Sequence, residues 1–397
     1  MPTAVIVDAV RSAFGRGKPG GALSGVHPVD LAAHVLRSLL ERNALDSAQV
    51  DDVIMGTFGQ VGEQSWNVGR HALLSAGFAE TVPATTVDRQ CGSSQQAAHF
   101  AAQGVIAGAY DIVIAAGVES MSRVPLGTSD AAGDPHSPGI RARYPEGLVH
   151  QGISAELIAA KWGFSRDTLD AFAAESHRRA AAAGAEGRFA GTIVPIEVTG
   201  ADGGARLHSS DETVRPGTTV EALAGLKPAY YSEAMAARFP QIAWNITAGN
   251  ASPLTDGASA LLIMSEEKAG ELGLTPRARF HAFAVVGDDP LFMLTGPIPA
   301  TRKILQRTGL TIEDMDAYEV NEAFASVPLA WATEVGADPA KLNPWGGAIA
   351  IGHPLGASGA RLMGNLLAYL EATGGRYGLQ AVCEGGGMAN ATIIERL

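Results

Sequence analysis

One plan is written twice along this chain. In the first third the strand-like "ATTVDRQ" runs into a small-residue turn at Cys91, then the helix-patterned "GSSQQAAHFAAQGVIAGAYD", then the apolar "DIVIAAGVES". In the last third "MDAYEVNEAF" leads to the glycine-rich "GGAIAIGHPLG", the helix-patterned "GASGARLMGNLLAYLEA" and the apolar "LQAVCEGGG". Apolar strand-length runs alternating with helix-length segments predict an α/β layered fold. The recurrence predicts an internal duplication, two similar α/β halves.

Other segments fit this frame. "AVIVDAV" and "DDVIMGTF" read as strands with a helix from Pro28 to about Arg42 between them. "ATTVDRQ" reads as a strand ending at Cys91, and the helix after it carries Ala97, Phe100, Ala101 and Val105 on one apolar stripe, with Gly108 as its stop. "ARFHAFAVVG" and "ANATIIERL" read as late strands. Residues 121–245 differ in texture: "RVPLGTSDAAGDPHSPGIRARYPEG" is rich in Gly, Pro, Ser and Asp and reads as a surface excursion, and a helix capped by Ser165, with Asp167 in its first turn, follows. The division expected is an N-terminal half of residues 1–120 and 246–270, an inserted loop domain of 121–245, and a C-terminal half of 271–397.

Composition narrows the function classes. A chain of 397 residues with 46% hydrophobic and 18% charged residues builds a large core. A net charge of −12 argues against nucleic-acid binding, which draws on clustered Lys and Arg. No apolar run approaches membrane-spanning length and the amino terminus lacks a signal-peptide pattern, so a soluble, cytoplasmic protein without a membrane partner is expected. Two cysteines, Cys91 and Cys383, make no disulfide framework.

Several residues suit chemistry, each with a plainer alternative. Cys91, between a strand and a helix start, reads as a nucleophile activated by the helix dipole, or as a small buried hydrophobe. His353 in the glycine turn reads as its base, or as a turn residue. Cys383 opens "CEGGGMAN": its three glycines can aim N–H groups at an oxyanion, and the alternative is an inert core thiol. Asn321 and Glu322 stand at the end of a predicted strand, and Asn321 reads as a holder of a water or substrate, or as a helix N-cap. No cysteine and histidine cluster has metal-ligand spacing.

Taken in order, "DRQCGSSQQA", "NEAFA" at 321–325, "GGAIAIGHPLGASGAR" at 346–361 and "CEGGGMANATIIERL" resemble the thiolase family over essentially the whole chain, supported by "VRSAFGR", "AAGVESMS" and "GNASPLTDGASALL". The resemblance implies the thiolase fold, two duplicated α/β halves in a five-layered αβαβα arrangement with an inserted loop domain that binds coenzyme A. It implies reversible thiolysis of a 3-oxoacyl-CoA by coenzyme A to acetyl-CoA, or propionyl-CoA, and a shortened acyl-CoA. His353 would take the Cys91 proton, Cys91 would carry the acyl group and Cys383 would protonate the enolate. The N–H groups of Cys91 and Gly385 would form one oxyanion hole, and His353 with a water held by Asn321 the other. His150 in "HQGISAELIAAKW" and Ser252 in "GNAS" would contact coenzyme A, a co-substrate; no permanent cofactor or metal is implied, and a homodimer or homotetramer is.

Departures from the family's common pattern fall at Gln151, where Met is frequent, at Gln95 and Gln96, at Trp345, and at Glu384, where an apolar residue is frequent. The last four positions are the first candidates for substrate choice. "CGSSQQ" and "CEGGG" resemble the motifs of thiolases in bacterial degradation, including steroid-derived acyl-CoAs. The alternatives are an acetoacetyl-CoA thiolase running condensation, a non-catalytic CoA-ester binding protein, and a cysteine hydrolase.

Overall fold

The computed structural model describes residues 2–131, 133–200 and 203–397. Twelve strands run in chain order: β1 (Ala4–Arg11), β2 (Gly15–Arg16), β3 (Asp52–Gly56), β4 (Ala84–Val87), β5 (Ile112–Ser120), β6 (Ile196–Thr199), β7 (Ala205–His208), β8 (Thr255–Ser265), β9 (Ala278–Gly287), β10 (Ala317–Val320), β11 (Tyr377–Glu384) and β12 (Met388–Arg396). Nine of them pair in the order β10-β11-β12-β9-β1-β8-β5-β3-β4, and β2 adds to β8.

The duplication is explicit in this ladder. Going outward from β1, the neighbours β8, β5, β3 and β4 pair antiparallel, antiparallel, parallel and parallel. Going outward from β9, the neighbours β12, β11 and β10 pair antiparallel, antiparallel and parallel, and a parallel bridge from Tyr318 to Leu342 stands where β4 would be. The halves join through only two residue pairs, Val5 with Arg279 and Ile6 with Ala278. So short a seam lets the sheet turn back on itself.

Two helices fill the space between the halves. Ala97, Ala98, Ala101 and Val105 of helix Ser93–Ile106, and Met363, Leu366 and Leu367 of helix Leu355–Thr373, pack with Ile6, Val113 and Ile263 of one half and Phe280 and Ile394 of the other. Fourteen of the nineteen residues of Leu355–Thr373 are buried, as enclosure between two sheets requires. The helices touch closely: a Cβ at Gly359 would lie 2.3 Å from Gln95 N. The outer face of the first half is covered by Leu31, Val35 and Leu36 of helix Pro28–Arg42, and that of the second by Ile304 and Trp331. The result is helix, sheet, helices, sheet, helix.

Phe100 departs from the expected stripe: it is 42% exposed, because the helix buries the small-residue face that lets its neighbour approach. Segment 121–245 begins as an exposed excursion, then forms helices Gln151–Trp162 and Arg166–Ala185, and Ser165 caps the latter through Thr168 N–H at 3.2 Å. Among the described residues no helix is long and apolar enough to cross a membrane.

Candidate active site

β4 ends at Val87, four residues before Cys91. Cys91 therefore stands not at a strand end but in a tight turn, where Gln90 has φ +52° and the Ser93 hydroxyl donates to Gln90 O at 2.6 Å while accepting from Arg89 N–H at 2.9 Å. The thiol packs among Met121, Leu355, Leu362 and Val382. Contrary to the dipole expectation, burial pushes the Cys91 thiol well above its ordinary range, and Cys383, Glu384 and Glu119 add to this, against its own backbone N–H. The free Cys91 is a protonated thiol, so its chemistry requires a base.

His353 lies two residues before Leu355, in the turn ahead of the central helix. Its N–H donates to Thr255 Oγ1 at 3.0 Å, and its Nδ1 is 2.6 Å from Ser358 Oγ. Ser358 Oγ donates to Pro354 O at 2.8 Å, so its one proton is committed and it accepts from Nδ1–H. The basic lone pair is therefore on Nε2, which faces Asn321 Nδ2 at 3.2 Å. Burial, with a contribution from the Arg361 charge, lowers the His353 pKa to about 3 and keeps the ring neutral.

Cys383 is fully buried one residue before the end of β11. Burial and then Glu384 push its thiol up to about 12, while its own N–H, the Asn321 side chain and the Ala323 N–H favour the thiolate. Asn321 follows β10 directly, with its N–H on Ala381 O at 3.0 Å. It is not a helix N-cap, since the next helix starts at Ser326. The Gln90 side chain lies against Gly385 and the Glu384 carboxyl against Gly92, so the Cys91 turn abuts the Cys383 strand end. Among the described residues neither the Cys91 N–H nor the Gly385 N–H has a backbone acceptor.

His353 also lines a narrow cleft of ≈ 90 Å³ together with His150, Ser252, Met121, Tyr230 and Phe324. His150 caps helix Gln151–Trp162, Nδ1 accepting from Gly152 N–H at 3.2 Å, and stacks on Tyr230 with ring centroids 5.3 Å apart. Ser252 is held by its N–H on Ala323 O at 3.0 Å. The predicted coenzyme A residues thus open onto the predicted base.

Sequence reasoning passed over three residues that shape this site. Glu119, 2% exposed, accepts from Phe58 N–H, Gly59 N–H, Gln64 Nε2 and Gly356 N–H at 2.8–3.0 Å, tying the loop after β3 to the start of the central helix. Its signal was a lone carboxylate ending an otherwise apolar strand. Ser358 and Thr255 hold the imidazole. Glu322, singled out beside Asn321, accepts from Ser176 Oγ at 2.7 Å, Asn343 Nδ2 at 2.8 Å and Ile349 N–H at 3.1 Å, anchoring the segment that leads to His353.

Of the four positions expected to choose substrate, three face elsewhere. Gln95 is buried and donates to Thr392 Oγ1 at 2.7 Å, Gln96 is buried in the same layer, and Trp345 packs edge-on to Phe189 and Tyr369. Only Glu384 adjoins the two cysteines. Among the described residues no group of His, Cys, Asp and Glu is arranged to hold a metal ion.

The comparisons with known proteins fall on this geometry. Residues 4–267 match the thiolase N-terminal domain and residues 274–396 the thiolase C-terminal domain. Steroid 3-ketoacyl-CoA thiolase FadA6 of Mycobacterium tuberculosis is 47% identical over 405 aligned positions, covering 100% of this chain and 95% of that protein. The 3-ketoacyl-CoA thiolase of Pseudoalteromonas translucida is 44% identical over 401 positions, covering 100% of both. The crystal structure of the Bacillus anthracis acetyl-CoA acetyltransferase superposes with a TM-score of 0.88 at 39% identity, covering 100% of this chain and 99% of that one.

Proposed function

The chain belongs to the thiolase family, and from that premise we propose how its own residues divide the work. The protein is an acyltransferase that catalyses reversible thiolysis of a 3-oxoacyl-CoA by coenzyme A. In our reading His353 Nε2 takes the Cys91 proton and the thiolate adds to the 3-keto carbon. The carbon–carbon bond breaks, leaving the acyl group on Cys91 and a thioester enolate. Cys383 gives its proton to the enolate carbon, which releases acetyl-CoA. Coenzyme A then delivers its thiol proton to the Cys383 thiolate and attacks the acyl-Cys91 thioester, whose collapse expels the Cys91 thiolate, which takes back its proton from His353, and frees the shortened acyl-CoA. The Cys91 and Gly385 N–H groups hold the tetrahedral oxyanion; His353, with a water held by Asn321, faces the enolate oxygen.

One observation carries this reading: a neutral imidazole with its lone pair on Nε2, lining one cleft with His150 and Ser252, facing Asn321, with Leu355 just after it packed on Cys91. Segment 121–245 serves as the coenzyme A-binding unit. We assign the physiological direction to degradation, with a bulky, steroid-type acyl group among the substrates, because the 47% identical relative bears that activity in its name. Association of copies into a homodimer or homotetramer is supported by β4, which pairs with β3 on one side and with no strand on the other among the described residues, and by Trp66, 85% exposed.

Incubation with a 3-oxoacyl-CoA without free coenzyme A should leave an acyl mass on the Cys91 peptide, and added coenzyme A should discharge it as acyl-CoA. No acyl mass under turnover conditions would favour a binding protein, and free acid as product a hydrolase. A thiolysis panel over short, long and ring-derived 3-oxoacyl-CoAs tests the substrate assignment. Activity confined to acetoacetyl-CoA would overturn it in favour of the condensing thiolase.

A further inference from the structure

Two buried carboxyl groups flank the Cys91 turn, and they are provided for very differently. Glu119, 2% exposed, has four donors within 3.0 Å, three of them backbone N–H groups, which is provision for a negative charge. Glu384, 0% exposed, has one: the Asn390 amide, which, assigned in the orientation that satisfies both its ends, donates from nitrogen to Oε1 at 3.2 Å and accepts at oxygen from Gln96 N–H at 3.3 Å. Oε2 is buried with no hydrogen-bond partner among the described residues. An ionised carboxylate in so sparse a setting would lack the hydrogen bonds that repay its desolvation, whereas a protonated one leaves only an uncharged O–H unpaired, the smaller penalty.

The position of this carboxyl gives its protonation state a consequence. Glu384 follows Cys383 on β11, and its Oε1 lies where a Cβ on Gly92 would be, 2.0 Å away, so it sits directly under the residue after Cys91. No side chain larger than hydrogen fits at 92 while Glu384 stands there. Both thiols feel it: a charge on Glu384 raises the pKa of Cys91 and of Cys383. The charged groups facing Glu384 are Arg89, which favours its ionised form, and Asp88, which opposes it, and burial outweighs both and lifts its pKa to about 9. Cys91 and Cys383 complete its titratable neighbours, and Glu119 reaches Cys91 from the other side.

We propose that Glu384 is a positioning residue that works as a neutral carboxylic acid: its carboxyl braces the Cys91 turn against the Cys383 strand, and its ionisation silences both thiols. The inference rests on the assignment of Cys91 and Cys383 as the acyl carrier and the proton donor. The neutral group holds the turn through shape and one hydrogen bond. Once it loses its proton, either thiolate must form beside a fixed negative charge, so the reaction stalls at the step that ionises Cys91.

The test compares wild type with Glu384→Gln, which keeps shape and hydrogen bonding but cannot ionise, and Glu384→Ala, which removes the brace. Thiolysis is followed from pH 6 to pH 10, with acyl-Cys91 quantified by peptide mass in the same samples. E384Q should match wild type within about threefold at pH 7 and exceed it about tenfold above pH 9, where only wild type declines; E384A should lose about tenfold at every pH. Superimposable pH profiles for wild type and E384Q, or an E384Q loss at pH 7 as large as that of E384A, would overturn the proposal. Should E384Q fail to fold, the wild type still decides: iodoacetamide labelling of Cys91 must rise with pH less steeply than a single thiol ionisation requires, and a simple one-proton curve refutes the coupling. Failure of the wild type to acylate at Cys91 would instead strike the underlying site assignment.

Discussion

His353 Nδ1 is 2.6 Å from Ser358 Oγ, and that hydroxyl has already given its proton to Pro354 O, so a serine one helical turn away decides which imidazole nitrogen is basic. The bond costs the enzyme nothing in the free state and strengthens as the ring becomes charged. Ser358→Ala should therefore lower kcat by about 10- to 100-fold, since a hydrogen bond to an ionised group is worth about 1.5–3 kcal/mol. KM should change little. Steady-state thiolysis kinetics on S358A check this, and an equal loss in KM would show that Ser358 binds substrate instead.

The two cysteines should fail differently. Cys91→Ala abolishes the acyl-enzyme and lowers thiolysis by roughly 10³-fold or more, the scale of a lost nucleophile. Cys383→Ala should lower thiolysis to a similar degree yet still let a simple acyl-CoA load Cys91, more slowly than in wild type, because that transfer forms no enolate and the departing coenzyme A thiolate, a stable anion, can take its proton from His353 or solvent. Intact-mass measurement after incubation with acetyl-CoA separates the two.

Tyr230 links the cleft to the loop segment: it stacks on His150 at 5.3 Å and meets Phe324 edge-on at 5.9 Å. Tyr230→Ala removes both contacts without touching Cys91 or His353. Aromatic pairs are worth about 0.5–1.5 kcal/mol each beyond burial, so KM for coenzyme A esters should rise about tenfold with kcat within about twofold. Comparable kinetics for Y230A and wild type would remove the cleft from coenzyme A binding.

His99, buried beside Thr392 at 2.7 Å, has its pKa lowered by burial, and then by the Arg89 charge, to about 3. Between that value and the unfolded 6.5 the unfolded chain binds the extra proton, so the contribution of His99 to stability is present above pH 6.5 and is lost as pH falls towards 3. His99→Gln removes this term. The unfolding free energy of the variant relative to wild type, from urea titrations, should therefore shift in its favour by about 2 kcal/mol from pH 7 to pH 5. A pH-independent difference would mean that His99 titrates alike in the folded and unfolded protein.

Much of this protein is legible in its sequence because the relevant signals are local. Apolar runs, glycine turns and the doubled plan were enough for the two α/β halves, for helix Pro28–Arg42, for the three turns that carry Cys91, Asn321 and His353, and for the strand that ends just after Cys383. These features depend on a residue and its near neighbours, through backbone geometry and periodicity. The limits appear where a property sums over distant groups. Phe100 fits the helical period yet faces outward, because the helix turns its small-residue face, Ala97, Ala98 and Ala101, to the neighbouring helix and sheets instead. Gln95, Gln96, Trp345 and Glu384 looked alike as departures from a pattern, and only the tertiary structure set Glu384 alone beside the thiols.

The ionisation of the site belongs wholly to the fold. Cys91 before a helix start suggested an activated thiolate, but burial with Cys383, Glu384 and Glu119, all remote or across the turn, raises its pKa. The tautomer of His353 depends on where the Ser358 proton goes. Sequence determined which chemical groups are present and in which loops; tertiary structure decided their charges and partners, because desolvation and hydrogen bonding act through space and not along the chain.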